Sequence, residues 1–180
     1  MRYIVAISGG SGSVYGVRLL KALKGETVLI ISETAKKILE FETRMKAEAV
    51  AVFADLCYDD ANLTAPPASG SNRFDAMIIV PCSESTIAKI ACGISDTLIT
   101  RTAAVALKEG RKLILVPRET PVSAIMLENE AKLARLGVTI LPASPGFYPL
   151  PQNVEDMVDF IVGKILDQLG QENQLYKHWG

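Results

Sequence analysis

Short, nearly continuous apolar runs alternate along this chain with longer segments whose apolar residues recur at helical spacing. Residues 3–8, 27–32, 76–81, 112–117 and 138–141 each read as a strand that is apolar on both faces. That pattern belongs to a parallel sheet covered by helices on both sides. Between the strands, helical patterns occupy residues 14–23, 34–42, 45–55, 86–91, 96–109 and 123–136. A last helix over 154–169 follows Asn153, a good N-cap residue, with Glu155 and Asp156 in its first turn. The βαβ order predicts a single α/β domain over residues 1–180, a three-layer, Rossmann-like flavoprotein type of fold with a mostly parallel, doubly wound sheet. No internal repeat or linker divides it.

The irregular segments carry more information than the regular ones. Residues 59–73 contain Ala65-Pro-Pro-Ala-Ser-Gly-Ser71, and a loop that long in a compact domain is a candidate for function. The fourth strand runs into Pro117-Arg-Glu-Thr-Pro121, and the fifth into a segment with four prolines, 142–151. Ligands of open α/β sheets sit beyond the carboxyl ends of the strands. Every polar cluster of the chain falls on that edge, which predicts one site.

Composition narrows the possible partners. A net charge of −1 gives no reason to expect nucleic acid or an anionic membrane, so any cation that binds an anion must act locally. No apolar run approaches the ~18 residues of a membrane span, and Met1-Arg-Tyr leaves no room for a signal peptide before the first strand. Cys57, Cys82 and Cys92 are odd in number and lack C-x-x-C spacing, so neither a disulfide framework nor a zinc site is expected, and a reducing cytoplasm is. The sole histidine, His178, lies in the tail.

Five groups of residues invite chemistry. Gly9-Gly10-Ser11-Gly12 turns the first strand into a helix, and such a turn brings backbone N–H groups and a positive helix end to an anion. It is no P-loop, and its likeness to a dinucleotide fingerprint is loose. Pro81-Cys-Ser-Glu-Ser-Thr86 offers hydroxyls and N–H groups for a second part of the same ligand, or simply an N-cap; Cys82 has no histidine to activate it. Arg101 and Lys108 lie two turns apart on one helical face with an apolar stretch between them, which points to a bound anion or an ion pair across an interface. Arg118 and Glu119 stand between prolines and point opposite ways, so each needs its own partner. Tyr148, in Gly146-Phe-Tyr-Pro149, offers a fixed hydroxyl to an anion, or packs as a core tyrosine.

Taken in order, Ser8-Gly-Gly-Ser-Gly-x-x-Tyr-Gly16, Ala65–Ser71, Pro81-Cys-Ser83, Arg101-x₆-Lys108-Glu109, Val116-Pro-Arg-Glu-Thr-Pro121, Leu127-Glu-Asn129 and Pro145-Gly-Phe-Tyr148 resemble the UbiX family of flavin prenyltransferases along almost the whole chain. The resemblance implies large homo-oligomers, typically dodecamers. It implies transfer of a dimethylallyl group from dimethylallyl phosphate (the diphosphate in some members) to reduced FMN. The product, prenylated FMN, serves UbiD-type decarboxylases. It further implies an FMN site from Gly9, Gly10, Ser11, Ser32, Ser83, Glu84, Ser85, Thr86 and Arg118. The prenyl phosphate falls to Arg101, Lys108, Tyr148 and Lys164, and Ser11, Lys108, Glu119 and Glu42 lie near the reacting centre. No metal is implied: three fixed cations stabilise the departing phosphate, and no Asp-rich Mg²⁺ motif is present. Two positions depart from the family. Lys164 stands where an arginine is usual, and Leu63 where some members have a tryptophan before the Ala-Pro-Pro turn. The related FMN-dependent cysteine decarboxylases resemble this chain less, because they use a histidine in the body of the domain and a Pro-x-Met-Asn motif. A non-catalytic flavin carrier or accessory subunit has no need of the three cations.

Overall fold

The structure is a computed structural model that describes residues 1–179. Among these residues six strands form one all-parallel sheet: β1 (Arg2–Ile7), β2 (Glu26–Ile31), β3 (Leu56–Asp59), β4 (Ala76–Cys82), β5 (Lys112–Pro117) and β6 (Thr139–Ile140). Their order is β3-β2-β1-β4-β5-β6, the doubly wound arrangement in which the winding reverses between β1 and β4. The helices are α1 (Ser13–Ala22), α2 (Glu33–Thr43), α3 (Ala47–Ala51), α4 (Glu84–Ala91), α5 (Leu98–Lys108), α6 (Ala124–Arg135) and α7 (Val154–Gln168).

Alternation along the strands sorts the core into two layers. Tyr3, Val5 and Ile7 face α1, α2 and α7, packing with Leu19, Leu39, Ile161 and Ile165. Ile4 and Ala6 face the opposite side, with Ile87 of α4, Leu98 and Val105 of α5 and Leu133 of α6. Burying a side chain of this size contributes about 1.5–3 kcal/mol. Gly16 shows how tightly the first layer closes. A Cβ there would lie 2.7 Å from the Val80 carbonyl oxygen and 2.8 Å from Ile7 Cδ1, so α1 crosses the sheet on a bare backbone.

The expected sheet needs one correction. The helical pattern over residues 45–55 gives way to a shorter helix, α3, which ends at Ala51, and an additional edge strand, β3, after it; the loop expected over 59–73 yields only Asp59 to that strand and otherwise holds one short helical turn, Pro66–Ala68. β3 pairs with β2 alone, and three of its four residues are exposed, so it lacks the apolar run that marks the other strands. Its position comes from pairing: the Asp55 carboxylate accepts from the Thr27 N–H at 2.7 Å and the Thr27 hydroxyl at 3.1 Å.

Candidate functional site

The loops that leave β1 and β4 meet at the point where the winding reverses. Ser8 is buried and ties them together: its N–H donates to the Pro81 carbonyl, and its hydroxyl accepts from the Ser83 N–H at 2.8 Å. A cavity of about 480 Å³ opens beside this junction. Its wall holds Gly9, Gly10 and Ser11 after β1, Ser32 and Thr34 after β2, Ser83–Thr86 after β4, and Arg118 and Glu119 after β5. Every residue expected to bind the flavin therefore lines one hollow, and its size falls in the range of ligand pockets, about 300–1,000 Å³. A larger depression of about 730 Å³, between the end of α7 and the tail, is an open polar trough with no converging helix ends.

Three helix N-termini line the cavity; at α5 the Asp60 carboxylate and the Thr97 hydroxyl already take the Ile99 and Thr100 N–H groups, which leaves those of α2 and α4. Ser32 caps α2 by accepting from the Ala35 N–H, and Ser83 caps α4 by accepting from the Thr86 N–H. The remaining N–H groups of these first turns, with the positive ends of both dipoles, suit an anion such as a phosphate. Gly9 lets the β1 loop come against α2: a Cβ there would be 2.9 Å from Thr34 Cγ2. Arg118 Nε donates to the Ser11 carbonyl at 3.1 Å, which fixes the guanidinium at the rim. Cys82 is fully buried, and burial pushes its thiol well above the ordinary range, so it is packing and no nucleophile.

The start of α1 differs from expectation. The sequence offers the N–H groups of the glycine turn to a ligand anion, but here the Glu42 carboxylate takes those at the helix end of the turn. It accepts from the Gly12 N–H at 3.0 Å and the Ser13 N–H at 2.9 Å. Burial opposes the charge on Glu42. The Ser11 hydroxyl and the two N–H groups outweigh burial and hold the carboxyl below its usual range. The anion end of a flavin thus has the N-termini of α2 and α4 open to it, while α1 carries its own carboxylate.

The expected phosphate ligands do not line this cavity. Arg101 and Lys108 project from the outer face of α5 toward the loop around Pro66–Ala68: Arg101 Nε donates to the Ala68 carbonyl at 3.0 Å, and Lys108 Nζ lies 2.9 Å from Glu109 Oε1. The apolar stretch between them belongs to the core. Thr102, Ala103, Val105 and Ala106 turn inward, so the two cations do not share an apolar surface as expected. Tyr148 and Lys164 form a second pair elsewhere, joined through Phe160, whose ring centroid is 5.7 Å from that of Tyr148 and 5.8 Å from Lys164 Nζ. Within one chain the three cations are not a compact trio.

Some lining residues escape sequence reading. Asp60 follows the unforeseen strand β3, and its carboxylate accepts from the Ile99 N–H at 2.8 Å. Burial raises its pKa. Thr97 and Thr100 cap α5 reciprocally, and Lys89 pairs with Asp96 at 2.7 Å. The rule that ligands lie past strand ends points to Asp60 once β3 is recognised.

The fold and its switch-point cavity define a nucleotide-type flavoprotein, and the family model described as Flavoprotein matches residues 1–166. A flavin prenyltransferase UbiX from Thermoplasma acidophilum is 54% identical over 180 residues, covering 99% of this chain and 100% of the relative. A dodecameric FMN-dependent UbiX-like decarboxylase from Escherichia coli O157:H7 superposes with a TM-score of 0.98 at 45% identity, over the full length of both chains. AnUbiX (PadA1), solved with FMN and dimethylallyl pyrophosphate, has a TM-score of 0.97 at 40% identity and covers 99% of this chain and 97% of its own. The chain belongs to the UbiX-type flavin prenyltransferase family.

Proposed function

We propose that this protein joins the dimethylallyl group of a dimethylallyl phosphate to reduced FMN, releasing the phosphate and yielding prenylated FMN. One observation carries the reading: at 40% identity the backbone matches, over 99% of its length, a structure that holds both FMN and dimethylallyl pyrophosphate. The donor set around the cavity fits FMN, with helix ends and hydroxyls for its phosphate and glycines where a flat ring must lie close to the backbone.

Gly9, Gly10, Ser11, Ser32, Ser83, Glu84, Ser85, Thr86 and Arg118 would hold FMN, whose reduced ring supplies the nucleophile. Arg101, Lys108, Tyr148 and Lys164 would bind the prenyl phosphate. Fixed cations around a leaving phosphate stabilise the charge that develops as the allylic C–O bond breaks, most strongly where water is excluded. Ser11, beside an ionised Glu42, and Glu119, on the cavity wall, would manage protons at the flavin edge. A Glu119→Gln protein should show a slowed single turnover.

In this reading the cations reach the cavity from neighbouring copies. The chain exposes large apolar side chains, among them Phe41 at 78%, Ile125 at 72% and Leu150 at 75%, which suits a homo-oligomer, and we infer a dodecamer like that of the E. coli relative. A cytoplasmic setting and use of the product by a UbiD-type decarboxylase complete the proposal. Among the described residues no helix is long and apolar enough to cross a membrane, and all three cysteines are unpaired.

The test is direct. The protein is incubated anaerobically with reduced FMN and dimethylallyl mono- or diphosphate, and the extracted flavin is weighed by mass spectrometry. A gain of one C5H8 unit supports the reading. Unmodified FMN with both donors rejects it. Decarboxylation of a cysteinyl peptide instead would favour the related decarboxylases, although His178 here stacks on Tyr176 at 4.5 Å in the tail and is absent from the cavity wall.

A further inference from the structure

The tail folds back along α7 and meets the helix at a glycine. Gln171 exchanges two hydrogen bonds with the backbone of Lys24, both at 3.0 Å, which pins the start of the tail. Asn173 then donates to Asp167 Oδ1 at 2.9 Å and to the Gly163 carbonyl at 3.3 Å. Tyr176 is 8% exposed and lays its ring against Gly163. A Cβ at that position would come within 2.5 Å of the ring and 3.0 Å of Asn173 Oδ1. A glycine inside a helix costs about 1 kcal/mol relative to alanine, and its place here is explained by the tyrosine that covers it.

The same tyrosine reaches Lys164. Its hydroxyl donates to Asp167 Oδ2 at 2.5 Å, and that oxygen is 4.0 Å from Lys164 Nζ. The ammonium also lies 5.0 Å from the Tyr176 ring centroid, close enough for a cation–π contact. The Tyr176 hydroxyl and Asp167 both favour the charged amine. Lysine carries a single point charge on a flexible stem, whereas arginine presents a rigid fork that orients itself on an anion. A lysine at this position needs outside help to hold its direction.

We propose that Tyr176, clamped on Gly163 and bonded to Asp167, is a positioning residue that aims Lys164 at the phosphate of the prenyl donor. The proposal rests on the assignment of Lys164 to that phosphate. Tyr176 touches neither substrate, and it acts by restricting the lysine.

The experiment compares Tyr176→Phe, Lys164→Ala, Lys164→Arg and the double variant Tyr176→Phe/Lys164→Arg in the full-length protein. Readouts are KM for dimethylallyl monophosphate, kcat, FMN affinity and melting temperature. Loss of one charge-assisted contact predicts that Tyr176→Phe raises KM roughly tenfold, with FMN affinity unchanged. In the Lys164→Arg background the same change should have little effect on KM, because the fork needs no aiming. Gly163→Ala, which displaces the ring, should reproduce the Tyr176→Phe defect. An unchanged KM in Tyr176→Phe alongside a raised KM in Lys164→Ala overturns the aiming role and leaves the phosphate site standing. An unchanged KM in Lys164→Ala removes the phosphate assignment, and the aiming role with it. Equal defects from Tyr176→Phe in the wild-type and Lys164→Arg backgrounds would reduce Tyr176 to a purely structural role and overturn the proposal.

Discussion

A single hydroxyl, that of Ser8, bridges the β1 and β4 loops beneath the cavity, and it is buried; Lys108, by contrast, stands 53% exposed with one neighbouring carboxylate. Most of the cavity wall is drawn from the ends of adjacent parallel strands, so the sheet's hydrogen bonding brings those loops close together. The cations sit on α5 and α7, which cover opposite faces of the sheet, and among the described residues no contact within one chain draws them together. The residues proposed for the flavin line one cavity of a single chain. Those proposed for the phosphate do not, and under the proposed function neighbouring copies bring them there.

The sharpest way to break this division is Lys108→Ala. Removing a cation from a leaving phosphate should lower turnover by about 10²–10³-fold with FMN affinity unchanged, as measured by flavin mass analysis and fluorescence titration. Turnover at the wild-type rate would unseat the phosphate assignment. Gly16→Ala attacks the other half. Its Cβ meets a backbone carbonyl that cannot yield, so a loss of about 2–3 kcal/mol in stability is expected in denaturant unfolding. Weakened FMN binding should accompany it, because Ser11 just before α1 and Ser83 just after β4 both line the cavity. An undiminished unfolding midpoint would show that α1 sits more loosely than the geometry requires.

The smallest effect belongs to Glu42, which caps α1 from α2. Its folded pKa is lowered, so its stabilisation is fully present above the unfolded pKa and fades as pH falls through the folded one. Glu42→Gln should therefore cost about 0.5–1 kcal/mol near neutrality, a modest figure for a largely exposed carboxylate. The two proteins should converge in stability once the pH falls below the folded pKa of Glu42, which lies under the ordinary glutamate range. Chemical denaturation at several pH values measures this, and a difference that persists in acid would contradict it.

Five of the strands and the positions of most helices are legible in the sequence because a buried parallel strand must be apolar on both faces, a property of a few consecutive residues. β3 is hidden for the converse reason: unlike β6 at the other edge, it has three exposed residues of four and no apolar run, and the helical pattern of residues 45–55 extends over its approach. Asp60 vanishes from view with it. The glycine-serine turn and Ser83–Thr86 can be placed in one site from the strand-end rule alone.

Order along the chain thus determined the layers, the switch point and the edge where chemistry gathers, since these follow from local periodicity and chain connectivity. Only the tertiary structure decided that Glu42 occupies the start of α1, that Arg101 and Lys108 face away from the cavity, and that Tyr176 lies on Gly163 beside Lys164. Each of these depends on where a side chain from a distant segment comes to rest. Sequence spacing measures distance along the chain, and such encounters are set by packing across it.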